Sequence, residues 1–205
     1  MADQSSEHTL LMDIEFTSIP HAREQEAISE RGLIYAKKGK MIWDSPNYLL
    51  LSDEKDAIVV LPKLKTIYLS NGFAEGASEL RATSSLGFQD TLLKYSKVST
   101  CKDMIWEGKS IKYVEMQLTG NYNVAKSKID KVSYWYGLKE NRLLKVYVSY
   151  DKGAQLNDLE VNYHLMDFRC TKISLKQGVY TKVFSSKGKL LPKYSGYKLI
   201  NNKTS

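Results

Sequence analysis

Three histidines, two cysteines and one carboxylate-rich turn are the residues of this 205-residue chain that could make or break bonds. His8, His21 and His164 stand far apart, in a polar start, a loop and an alternating strand. None has the spacing that metal ligation or a base–nucleophile couple uses. Cys101 and Cys170 lie 69 residues apart with no CxxC or Cys/His pattern. They are two thiols or one disulfide, according to the compartment. Asp53, Glu54 and Asp56 share a turn and read as solvated. There is no Gly-rich phosphate loop, GxSxG elbow or HExxH helix. The expectation is a protein that is not an enzyme, with no cofactor and no metal.

Binding chemistry is left. The formal charge is +7, which suits nucleic acid, an anionic membrane surface or an acidic partner. Only Arg23, Arg31, Arg81, Arg142 and Arg169 are arginines, the rest of the cations being lysines. Bidentate reading of bases and phosphates leans on Arg, so no nucleic-acid partner is expected. Tyr134-Trp135-Tyr136, with Tyr147, Tyr150 and Tyr163, offers rings for stacking on bases or sugars. On alternating strands the same residues fill both faces of a sheet. Lys37, Lys38, Lys40, Lys63 and Lys65 mark two basic hairpin ends. Each could add about 1 kcal/mol near anionic headgroups, and each equally suits a solvated turn.

These residues need strands to position them. Leu10, Met12, Ile14 and Phe16 alternate with Asp13, Glu15 and Thr17, the period of a half-buried strand. Further strands are predicted at 32–37, 41–44, 48–52, 57–61 and 66–70, joined by Lys38-Gly39-Lys40, Ser45-Pro46-Asn47, Asp53–Asp56 and Pro62–Lys65. Such short connections leave no room for crossover helices, so the strands form an antiparallel meander. Residues 72–97 lose the alternation and are predicted to hold one or two short helices. Strands resume at 103–106, 111–118, 131–136, 143–150 and 159–168, with 168–174, 179–184 and 197–200 finishing the sheet. A sheet of roughly ten strands, against the ~5–6 of an average one, must curl, split or close.

No apolar run approaches the ~18 residues that span a bilayer, so no transmembrane segment is expected. The opening Met-Ala-Asp-Gln-Ser-Ser shows no basic-then-apolar leader, so no signal peptide is present in the sequence as given. That start suits a cytoplasmic protein, or one whose native start differs.

The stretch from Gly32 to Ser70 resembles the LolA-type outer-membrane lipoprotein carriers. Gly32, Tyr35, Lys38, Gly39, Trp43, Ser52, Asp53, Lys55 and Pro62 stand where that family's pattern puts them. The resemblance covers roughly 60 residues, about Leu10 to Ser70. It implies a mainly β fold with minor α, a curved antiparallel sheet forming an incomplete β-barrel, lidded by one or two short helices. One LolA-like domain is then expected over 1–205, with tails at 1–8 and 201–205 and a helical lid at 72–97. The family's basic residue at the end of the second strand is Arg; here it is Lys38, which cannot make the same forked contact to lid carbonyls. The Gly of the family's Ser-Asp-Gly-Lys turn is Glu54, and the helix that precedes the first strand in the family is not expected within the residues up to His8.

By that resemblance the protein is expected to be a periplasmic carrier, binding acyl chains of lipoproteins or other lipids in an apolar cavity. Ile34, Ala36, Met41, Trp43 and Leu50 are its candidate wall, and Lys38 its candidate lid contact. The partners expected are lipid and components of envelope transport, and the protein is expected to be a monomer. The other reading is an envelope interaction or assembly module that uses the same fold without a lipid ligand.

Overall fold

The computed structural model describes residues 9–21, 25–37, 39–72, 95–118, 128–171, 175 and 178–203. Twelve strands are named among them: β1 Thr9–Pro20, β2 Ile28–Lys37, β3 Lys40–Asp44, β4 Leu49–Ser52, β5 Asp56–Leu61, β6 Thr66–Asn71, β7 Ser96–Trp106, β8 Lys109–Leu118, β9 Ile129–Gly137, β10 Arg142–Tyr150, β11 Leu156–Cys170 and β12 Lys198–Asn201. They form a single sheet in the order β12-β6-β5-β4-β3-β2-β1-β11-β10-β9-β8-β7, so the sheet has two ends and is not closed. The mainly β expectation holds. The helical stretch expected over 72–97 falls mostly on 73–94, outside the described residues, as does the tail at 1–8. Ser96 and Lys97 open β7.

The chain divides into two compact units. Unit 1 takes Met1–Asp13, Gly32–Leu80 and Leu165–Ser205; unit 2 takes Ile14–Arg31 and Arg81–His164. In unit 1, β2 to β6 are successive antiparallel hairpins. The meander then departs from expectation, because β12 joins β6 in parallel, Leu199 facing Ile67 and Ile200 facing Tyr68. In unit 2, β7 to β11 are again antiparallel neighbours. Their tightest turn is Glu107-Gly108, with φ of 47° and 73°. Positive φ at both central residues matches the right-handed twist of the flanking strands.

The core of unit 1 lies on one face of its hairpins. Tyr35, Ile42, Leu51, Ile58, Val60, Ile67 and Leu69 pack there against Leu175, Val179, Val183, Phe184 and Tyr194 from the C-terminal segment. That segment was expected to add a strand at 179–184, and instead Val179–Lys182 is a 3-10 turn. The reason is visible in the side chains: Tyr180 and Phe184 stack at 4.3 Å, four residues apart, and Phe184 N–H donates to the Tyr180 carbonyl. Pro192–Tyr194 makes a second such turn before β12. Asn202 N–H donates to the Leu69 carbonyl at 2.7 Å, so the sheet ties down the start of the expected tail.

Asp53 holds the segment in place. One of its oxygens accepts from Lys55 and Asp56 N–H, each at 2.9 Å, and the other from Val179 N–H at 2.8 Å. Lys40 Nζ adds a bond to the Leu175 carbonyl at 3.0 Å. The solvated-turn reading of Asp53 and Asp56 is therefore corrected: they are 6% and 7% exposed, because the segment covers them, while Glu54 stays exposed. Burial works against the Asp53 charge, but the Val179, Lys55 and Asp56 amides and Lys40 outweigh it and hold the carboxyl below its ordinary value.

A depressed folded pKa means that this stabilisation is complete above the unfolded value of about 3.9 and is lost as pH falls through the folded value. Asp53→Asn is expected to cost about 1.5–3 kcal/mol at neutral pH. In urea unfolding, the gap between wild type and variant should close as the pH is lowered below about 4.

Candidate functional site

Strand alternation decides what the other face of unit 1 presents. Ile34 lies opposite Trp43, Trp43 opposite Leu50, Leu50 opposite Val59 and Val59 opposite Tyr68, a continuous cross-strand row. The next row runs Ala36, Met41, Ser52, Ala57, Ser70. The intervening row, Tyr35, Ile42, Leu51, Ile58 and Leu69, is the one that points into the core. All five residues predicted for the apolar wall thus stand together on the face opposite the core. Ile34 is buried, Ala36, Met41, Trp43 and Leu50 are half-buried, and Tyr68 is exposed. Lys38, the predicted lid contact, lies outside the described residues.

Gly32 shapes this face. A Cβ there would come within 2.6 Å of Trp43 Nε1 and 2.6 Å of the Asp44 carbonyl oxygen. The indole therefore lies over a position that admits no side chain, and Tyr48 flanks it with ring centroids 5.5 Å apart. Gly32 and Trp43, two elements of the family pattern, are one packing unit.

Reading the sequence did not single out Val59, Tyr68 or Ser52 for this face. Val59 and Tyr68 follow from alternation once the register is known. Ser52 is 1% exposed, and its hydroxyl has no hydrogen-bond partner among the described residues. A buried unpartnered hydroxyl is rare and costs about 1–3 kcal/mol. Only its parity with Met41 and Ala57 could have placed it there.

Unit 2 sorts its aromatic residues by face. Ile129, Val132, Val146 and Val148 form a core cluster with Tyr134, Tyr150, Leu159, Val161 and Tyr163 against it. Burial pushes the Tyr163 hydroxyl up to about 12, with Tyr134 adding to it. Trp135 belongs to the neighbouring row with Tyr113 and Lys145. There it meets the Tyr113 ring edge-on at 5.0 Å, and Lys145 Nζ sits 5.5 Å from the indole centroid. Tyr113 OH bonds Glu115 at 2.9 Å, and Lys145 pairs with Glu160 at 2.7 Å. The Tyr-Trp-Tyr run is thus divided between an apolar cluster and a hydrogen-bonded polar row, and forms no single platform.

His164 Nε2 lies 3.4 Å from Glu15, an exposed pair, and His21 Nε2 meets the Asp151 carbonyl at 3.0 Å. Cys101 is exposed, Cys170 is buried in the unit 1 core, and both are free thiols. Among the described residues no group of three or more His, Cys, Asp or Glu could hold a metal ion, and no helix is long and apolar enough to cross a membrane.

No protein-family model matches the chain, and no curated protein matches it significantly. Solved structures to which the chain aligns include an uncharacterized conserved protein from Thermus thermophilus, at 6% identity and TM-score 0.49, over 96% of this chain and 91% of that one. A putative outer membrane lipoprotein-sorting protein domain from Vibrio parahaemolyticus aligns at 16% identity and TM-score 0.39, over 83% and 89%. A LolA superfamily protein from Nitrosomonas europaea aligns at 12% identity and TM-score 0.34, over 80% and 87%.

Replacing Gly32 by Ala is expected to drive the Trp43 ring and the β3 backbone apart, at a cost of about 1–3 kcal/mol. Thermal unfolding of Gly32→Ala measures it. A second substitution, Trp43→Ala, should recover little of the loss, because the Asp44 carbonyl is as close as the indole.

Proposed function

We propose that the protein is a carrier of acyl chains, lipoprotein-borne or free, working in the periplasm, and that the ligand lies along Ile34, Ala36, Met41, Trp43 and Leu50. The observation that carries this reading is the division of unit 1 into two apolar faces. One is filled by the C-terminal segment. The other carries a row from Ile34 to Tyr68 whose members beyond Ile34 are only half-buried or exposed.

The physics of the ligand fits such a row. Each methylene moved from water onto apolar wall gives about 0.8 kcal/mol, so a long chain is held without directional contacts. No catalytic step enters this reading, and Lys38 retains its proposed contact with a lid.

Binding of a fluorescent fatty acid tests it. The wild-type chain is expected to bind, and Trp43→Glu to lose at least about tenfold in affinity while keeping its circular dichroism spectrum, since a charge on the wall is desolvated by the ligand. Equal affinity of Trp43→Glu and wild type contradicts the wall; no binding by either contradicts the carrier.

A further inference from the structure

The positive charge of this chain is not spread along it. Up to Phe168 there are 21 Lys and Arg against 23 Asp and Glu, whereas from Arg169 to Ser205 there are nine cations and no acid. The C-terminal stretch therefore carries more than the whole net charge of +7. Its apolar residues, Val179, Val183 and Phe184, are spent on the unit 1 core; Lys187, Lys189, Lys193 and Lys198 are exposed, while Lys203 pairs with Asp56.

The fold adds to this charge at one place. β12 begins beside the β5–β6 turn: Lys198 N–H donates to the Lys65 carbonyl at 2.8 Å, and Lys198 pairs with Thr66. Lys63, Lys65 and Lys198 are exposed there, and Lys193, in the turn before β12, is exposed too. Between the first two stands Leu64, 69% exposed, and beside Lys198 stands Leu199, 40% exposed. Lys63 leans on Asn47 at 2.7 Å, and Lys193 Nζ sits 4.8 Å from the Tyr194 ring centroid. Asp44, at the same end of β3, offsets part of the charge.

From this we infer that the β5–β6 turn, together with the start of β12, docks the protein on an anionic lipid bilayer. The residue types select this partner over a nucleic acid. Lysines are point charges on flexible stems, suited to a diffuse layer of headgroups, whereas phosphodiester and base recognition favours Arg forks. A Leu held out between two lysines has no use on a nucleic acid, but on a bilayer it enters the headgroup–acyl boundary while the lysines stay with the phosphates. The inference does not rest on the acyl-chain reading, since a chain that holds no lipid in its own wall could still dock.

Co-sedimentation of the full chain with vesicles tests it, using phosphatidylcholine alone and phosphatidylcholine with phosphatidylglycerol. Binding is expected only with the anionic lipid and is expected to weaken as salt is raised. At about fivefold for each lysine neutralised, Lys63→Gln with Lys65→Gln should weaken partition about 25-fold, as should Lys193→Gln with Lys198→Gln. Leu64→Ser should weaken it several-fold with the charge unchanged. The inference is overturned by equal binding to neutral vesicles, by partition that neither lysine pair alters, or by a duplex DNA oligomer bound as tightly as the anionic vesicles. Retained fatty-acid binding with lost vesicle binding in the lysine variants separates this surface from the wall.

Discussion

The Asp53 carboxylate organises unit 1, because it does two jobs with three backbone amides. Through Lys55 and Asp56 it closes the β4–β5 turn, and through Val179 it fixes the C-terminal segment across one face of the unit 1 hairpins. That contact determines which of two alternating sets of side chains is the core. With Tyr35, Ile42, Leu51, Ile58 and Leu69 covered, the set containing Ile34, Trp43 and Leu50 belongs to the other face. A slip of one residue in any of these strands would exchange the two sets. The register from Ile34 to Tyr68 and the anchoring of the segment thus enforce one another.

The strands of unit 1 were legible because their alternation is strong and their turns short. Asp56–Leu61 shows a buried residue at every second position, and the prediction at 57–61 misses only its start. The common face of the residues proposed for the wall was legible for the same reason, since parity alone put Ile34 and Ala36 together. The β7 strand was seen only from 103 onward. Its first half, Ser96–Lys102, is mostly exposed at the end of the sheet, and a bulge between Val98 and Thr100 breaks the period. Little burial means little hydrophobic pattern to read. The C-terminal cover was misread for a different reason: its apolar residues answer to a surface already built by residues more than a hundred positions earlier. The same distance hid the role of Asp53, whose partner Val179 is 126 residues away.

Charge and apolar character are separated within unit 1. The C-terminal segment turns its apolar residues to the core, and Lys198 is exposed at the end of the sheet where Leu64 and Leu199 are exposed. The proposed wall, by contrast, is made of uncharged residues. A carrier built this way would separate the surface that meets headgroups from the surface that holds chains. Unit 2 divides differently, into a cluster around Val132 and Val148 and a polar row in which Glu115, Glu160, Tyr113 and Lys145 satisfy one another.

One face of the unit 1 hairpins is core, and the opposite face is the proposed ligand wall. Photo-crosslinking with a diazirine fatty acid, followed by peptide mapping, tests that division most directly. The expected result is label on Met41, Trp43, Leu50 or Val59, with Ile42, Leu51 and Ile58 unlabelled. Label confined to unit 2, or spread equally over both sets of unit 1 residues, would contradict it.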